Sequence, residues 1–202
     1  MQSFGSIMFT DAVRARQQEI GSEATYARIA ARPVADGLGE DERAFIETRS
    51  SCYLATVNSD GWPYVQHRGG PAGFLKVLDP QRIAFADYRG NRQLVTGGNL
   101  DGDDRISIFL MDYPRRARLK LLGHARMVSP DADPALTKAV SQEDAPLERV
   151  VEITVTAFDW NCPKYITPRF TEAEIEDMLG PRLRDLVEEN ARLKAALAAK
   201  EI

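Results

Sequence analysis

Arg89, Asn91, Arg92 and Gln93 crowd two guanidinium groups and two side-chain amides onto one corner of the chain around Gly90. Arginine presents a planar fork of donors that meets phosphate oxygens two at a time, and the backbone N–H groups of a turn add further donors. This pattern suits recognition of a phosphate. It also suits a plain solvated basic turn, the commoner fate of Gly-Asn-Arg, and the corner taken alone favours that plainer reading. Other chemically capable residues are few. His67 and His124 are the only histidines, and a histidine on a barrel strand is more often structural than an acid or base, so neither is assigned a catalytic role. Cys52 and Cys162 are the only cysteines, with no CxxC pair and no Cys/His group at metal-ligand spacing, which points to a reducing compartment and against structural zinc. Cys162 reads as an inert thiol rather than a redox group, because no feature of the sequence points to a depressed pKa.

The corner needs a frame to hold it. Arg82–Asp87 reads as a buried strand built on Ile83 and Phe85 that runs into the turn at Gly90. Before it, Cys52–Val57 and Trp62–Arg68 are strands joined by the hairpin turn Asn58-Ser59-Asp60-Gly61, with Pro63 suited to a strand end. Gly69–Gly73 is a loop that matches neither GxxxxGK[ST] nor GxGxxG, and Phe74–Leu78 is a third strand. After the corner, Leu94–Gly98 is a short helical piece, and Arg105–Met111 and Arg118–Val128 are strands, the second bent at Gly123. Asp131–Glu143 reads as helical, and Val150–Phe158 as a strand with Glu152, Thr154 and Thr156 on a wet face. Strands at this spacing predict a mainly β fold with α-helices (α+β), a closed antiparallel barrel with peripheral helices rather than a βαβ sheet.

The ends of the chain differ from its middle. Thr10 caps a helix over Asp11–Ile20 that stops at Gly21, Glu23–Ala31 adds a turn or two, and Glu40–Thr48 leads into the sheet. At the other end Thr171-Glu172-Ala173-Glu174 is a capping box for a helix to about Leu179, and Gly180-Pro181 separates it from a second helix. In that helix Leu183, Leu186, Asn190, Leu193 and Leu197 alternate spacings of three and four, an a/d seam with Asn at one a position and Glu189 and Lys194 at g and e. The seam reads as a dimer contact, with packing of one apolar face on the barrel as the alternative. The organisation expected is 1–44 as an N-terminal helical extension, 45–170 as the barrel domain and 171–202 as C-terminal helices.

With 202 residues the chain suffices for one domain with terminal elements. Its net charge of −4, from 26 Lys and Arg against 30 Asp and Glu, lacks the footprint of a nucleic-acid binder. No apolar run approaches a membrane span and Met1–Gly5 lacks signal-peptide character, so a soluble cytoplasmic protein without a membrane partner is expected.

Five motifs in order, Asn58–Pro63, His67–Pro71, Phe85–Gln93, Met111–Pro114 and Asp159–Pro163, resemble the pyridoxamine 5′-phosphate oxidase-like FMN-binding split-barrel family, and more closely its branch of predicted flavin-nucleotide-binding proteins. The resemblance covers roughly Phe45 to Phe170. It implies a homodimer with two FMN sites at the subunit interface. It places Asn91, Arg92 and Gln93 at the cofactor phosphate, with Arg68 or, as the competing position, Gln66 on the preceding strand, and Lys76 as a further contact. Asp87 and Tyr88 are implied beside the ribityl chain or ring, and Trp160 at a late aromatic position facing the isoalloxazine, whereas Phe85 reads as core.

The resemblance has two departures. Arg92 is followed by Gln93 where the oxidases place a second basic residue, which keeps a donor and removes a charge. After Trp160 the Arg-x-His/Asn-x-Arg pattern that holds the vitamin phosphate is replaced by Asn161-Cys162-Pro163-Lys164, so pyridoxamine phosphate is not the expected substrate. The implied activity is an FMN-dependent oxidoreductase acting on a small molecule or a nicotinamide donor. The alternatives are a non-catalytic flavin-binding or sensing protein, or a split barrel using deazaflavin or haem.

Overall fold

The stretches with strand periodicity form seven strands of one antiparallel sheet in the computed structural model, which describes residues 1–142, 146–160 and 163–199. Strands β1 (Ser51–Val57), β2 (Pro63–Gly69), β3 (Lys76–Asp79), β4 (Arg82–Tyr88), β5 (Arg105–Asp112), β6 (Ala117–Val128) and β7 (Leu147–Trp160) lie in the order β2-β1-β5-β6-β7-β4-β3. Alternation decides which face each strand buries. In β5, Ile106, Ile108 and Leu110 point into the core while the residues between them stay partly exposed. With Leu54, Ile83, Phe85, Leu119, Leu121 and Ile153 they form one apolar cluster, each large side chain contributing about 1.5–3 kcal/mol by burial. Phe85 is core, as its pattern implied.

The barrel is split rather than closed by a continuous ladder. β2 and β3 are the two ends of the strand order. The ends are joined by side chains: Arg68 on β2 donates from Nη1 to Asp87 Oδ1 on β4, the strand beside β3, at 2.7 Å. The 58–61 hairpin turns as expected, with Asn58 Oδ1 accepting from the N–H groups of Asp60 at 3.0 Å and Trp62 at 2.8 Å.

Several elements differ from expectation for identifiable reasons. Glu152 does not face water. Arg126 lies directly across from it on β6 and donates from Nε at 2.7 Å, while Arg82 on β4 donates from Nη1 at 2.9 Å, and these two cations allow a carboxylate to be only 5% exposed. β3 begins at Lys76, because Phe74 and Leu75 are buried in the turn that precedes it, where the Phe74 N–H bonds to the Pro71 carbonyl. The bend in β6 sits where the pairing with β7 shifts register, between Leu122 and Gly123. A Cβ at Gly123 would stand 2.3 Å from the Thr154 carbonyl oxygen, so the strands approach there only because the side chain is missing.

The helices are α1 (Phe4–Met8), α2 (Asp11–Glu19), α3 (Glu23–Ala30), α4 (Glu40–Glu47), α5 (Val95–Gly102), α6 (Pro134–Val140) and α7 (Glu172–Ala198). Thr10 caps α2 by accepting from the Val13 N–H, and α1, five residues long, has no periodic signal to reveal it. α6 starts later than Asp131 because Asp133 is its cap, accepting from the Leu136 N–H at 2.9 Å. The two expected C-terminal helices are one. α7 opens at the Thr171 capping box and passes through Gly180-Pro181 without ending. A proline inside a helix removes one N–H from the ladder, and here an ion pair between Glu176 and Arg184 at 3.1 Å spans the site. Among the described residues no helix is long and apolar enough to cross a membrane.

Met1–Asp112 with Ala117–Pro163 form one compact unit, so the N-terminal helices belong with the sheet; Tyr113–Arg116 with Lys164–Ile202 form a second. In the second unit the Arg169 guanidinium lies 5.1 Å from the centre of the Tyr113 ring.

Replacing Gly123 by Ala is expected to lower the unfolding free energy by about 1–3 kcal/mol, the scale of overpacking a fitted core. Urea denaturation reads this directly, and an unshifted midpoint would show that β6 and β7 have room at the bend.

Candidate functional site

β4 delivers its last residues, Asp87 and Tyr88, to the turn that leads into α5. The left-handed steps of this turn fall on Arg92, with φ 56°, and Leu94, with φ 58°, rather than on Gly90. Each costs a non-glycine residue about 1–2 kcal/mol, so the helix that comes next must be held firmly. Two side-chain bonds hold it: Thr96 Oγ1 donates to Gln66 Oε1 on β2 at 2.7 Å, half-buried, and Asn99 Nδ2 donates to Thr56 Oγ1 on β1 at 2.8 Å, fully buried. Leu94 occupies the cap position and offers no side-chain acceptor, so Leu94 through Gly97 bring the uncapped, positive end of α5 to the wall of a cavity of about 280 Å³.

The cavity is lined with paired charges. Asp87 accepts from Arg68 Nη1 through one oxygen at 2.7 Å and from Arg149 Nε and Nη2 through the other, each at 3.1 Å. Glu148 Oε1 accepts from Arg89 Nε at 3.1 Å and Arg92 Nε at 3.0 Å, and its second oxygen from Arg149 at 3.4 Å. Hydrogen bonds from Arg92 and then Arg89 hold the Glu148 carboxyl below the usual carboxylate range, so it is ionised at neutral pH. Three guanidinium groups, those of Arg68, Arg92 and Arg149, less the two carboxylates leave a surplus of one positive charge at this wall. Arg68 Nε is buried and has no hydrogen-bond partner among the described residues. An anion with several acceptor oxygens is the ligand such a wall suits.

Gln66, Arg68, Asp87, Tyr88, Asn91, Arg92 and Gln93 all line this cavity. Gln66 and Arg68, alternatives in the sequence, are two apart on β2 and face the same way. Asp87 serves to position Arg68 and Arg149, and the Tyr88 hydroxyl accepts from the Gln142 N–H at 2.9 Å. Lys76 and Trp160 lie elsewhere. Lys76 is on β3 with its Nζ beside Gly73. Trp160 ends β7, donates from Nε1 to Glu42 at 2.7 Å, meets Phe45 edge to face at 4.8 Å, and lines a different cavity of about 710 Å³ with Phe4, Tyr26, Arg118 and Lys120.

Cys52 lies opposite Arg68 in the β1–β2 pairing, and burial pushes its thiol up to about 12, with the opposing pull of Arg68 too weak to prevent it. It is not a nucleophile near neutral pH. His67 packs edge-on to Tyr53, and His124 Nδ1 lies 2.7 Å from Asp104 Oδ1; neither lines the cavity. Asn161 and Cys162 lie outside the described residues. No local signal marks Glu148 and Arg149 as site residues, because only the pairing of Arg149 opposite Asp87 brings them to the turn.

Residues 38–162 match the family model described as pyridoxamine 5′-phosphate oxidase. The structure of HupZ from Group A Streptococcus is similar at TM-score 0.50 and 15% identity, over 66% of this chain and 99% of that one, and shows the shared fold. A putative pyridoxamine 5′-phosphate oxidase from Lactobacillus delbrueckii is 21% identical at TM-score 0.48, over 62% of this chain and 95% of that one. An FMN-binding protein from Syntrophomonas wolfei is 12% identical at TM-score 0.44, over 75% and 96%. No curated protein sequence matches the chain significantly.

Removing the carboxylate that holds two arginines is expected to be costly. Asp87→Ala should lower the unfolding free energy by about 3–5 kcal/mol, the scale of leaving buried charges unpaired. Arg92→Ala, at an exposed ion pair, should change it by less than about 1 kcal/mol. Equal losses in chemical denaturation would contradict this division between frame and surface.

Proposed function

The chain belongs to the pyridoxamine 5′-phosphate oxidase family, and on that footing we propose that the basic cavity seats the phosphate of FMN in a flavin-dependent oxidoreductase. The observation that carries the reading is the surplus of positive charge at the turn together with the unpartnered Nε of Arg68. Arg92 and Arg68 supply charged donors, Asn91 and Gln93 supply neutral ones, and the uncapped end of α5 supplies backbone N–H groups. Gln93, in place of a second basic residue, still donates. When bound, the flavin supplies two-electron chemistry, and the chain holds and orients it. Asp87 keeps Arg68 and Arg149 at the cavity, and Glu148 does the same for Arg92.

A cavity of about 280 Å³ is small for a whole flavin nucleotide, since ligand cavities run from about 300 to 1,000 Å³. It accommodates a phosphate and part of the ribityl chain. The ring then needs another wall, and Trp160, which lines a separate cavity of the same chain, is proposed to supply it from a second protomer. The reading is therefore a homodimer with two sites, each built from both copies. A small-molecule or nicotinamide donor is the proposed source of electrons. Pyridoxamine phosphate is not proposed, because the pattern that would hold its phosphate is absent after Trp160.

The visible spectrum of the protein after gel filtration with FMN tests this. Flavin bands travelling with a dimer-sized peak are expected, and their absence at saturating FMN would remove the assignment. Arg92→Ala should weaken FMN binding by about 1.5–3 kcal/mol, the scale of a charge-assisted hydrogen bond, while Glu148→Gln should tighten it by removing a negative charge from the cavity wall. Unchanged affinity in both variants would take the phosphate away from this turn. NADH or NADPH oxidation no faster than with free flavin would remove the nicotinamide donor and favour the reading of a flavin binder.

A further inference from the structure

We propose that α7 pairs with α7 of a second copy of the chain as a parallel, two-stranded coiled coil. The continuity of the helix through Gly180-Pro181 is the observation that opens this reading, because it adds Leu179 to the seam. Leu179, Leu183, Leu186, Asn190, Leu193 and Leu197 then succeed one another at spacings of four, three, four, three and four. That is a 3.5-residue repeat over six layers, the period that keeps a stripe facing a partner helix. The five leucines are between 43% and 63% exposed, so the stripe stands open.

The polar residues of the helix determine what covers it. Asn190 sits inside the stripe at an a position. In a parallel pair in register it meets the Asn190 of the second copy, and each amide can donate to the other. In an antiparallel pair it would face a leucine and lose its partner in an apolar layer. Glu189 and Lys194 flank the seam five residues apart, the separation at which a g residue of one parallel helix meets the e residue of the other, giving one Glu–Lys pair on each side. An unrelated apolar partner would satisfy the leucines but would offer no reason for an amide in the stripe or for charges at that separation. The pairing stands independently of the flavin reading.

Disulfide trapping in the full chain tests it. In a Cys162→Ser background, which leaves only the buried Cys52, Leu193→Cys places a thiol in the seam and Glu188→Cys places one on the opposite side of the helix. Under mild oxidation Leu193→Cys should link two chains at least tenfold faster than Glu188→Cys. Adding Leu186→Glu should slow that linking at least tenfold while circular dichroism shows the helix content unchanged. Equal linking rates for the two cysteine variants, or linking unaffected by Leu186→Glu, would overturn the pairing.

Discussion

The structure turns on one carboxylate, Asp87, held between two arginines from separate strands. Arg68 comes from β2 at one end of the strand order, and Arg149 from β7. With neither end strand paired to the other by a ladder, this contact ties the two sides of the split together. It is side-chain electrostatics replacing backbone hydrogen bonds at the opening of the barrel. The same contact fixes the direction of both guanidinium groups, so the part of the molecule that completes the fold also shapes the cavity. A hydrophobic bridge of similar size would close the split as well and leave no charge at its mouth.

A second constraint comes from α5. Left-handed conformations at Arg92 and Leu94 are unfavourable locally and persist because Thr96 and Asn99 are bonded to β2 and β1 below. Local strain is thus offset by polar side-chain contacts a few residues on. The turn is a consequence of where the sheet holds the helix, and its donors face the cavity for that reason.

Much of the architecture is legible in the sequence because alternation and turn residues are local signals. The hairpin at Asn58–Gly61, the strand leading to the turn, the break at Gly123 and the capping box at Thr171 all announce themselves within a few residues. The features that stay hidden depend on register between distant strands. Glu152 alternates like a solvent-facing residue, and only Arg82 and Arg126 on neighbouring strands explain its burial. Arg149 and Glu148 join the site through the same kind of non-local pairing. Gly180-Pro181 fails in the opposite sense: its local signal for a helix break is strong, yet the helix runs through it. Trp160 shows a further limit, since membership of one constellation of motifs does not place it in the same cavity as the turn.

Glu148 gives the site a property that a roll of cationic donors would miss. Its carboxylate already occupies two arginines of the turn, holding long, flexible side chains in place as part of the fold. Part of the entropy of ordering such chains, up to about 1.5–2 kcal/mol for a fully buried one, is therefore lost on folding instead of on encounter with an anion. An incoming anion exchanges with an internal one. Because one ion pair replaces another, the counter-ions released are few, and its affinity should depend on ionic strength less steeply than the number of arginines implies.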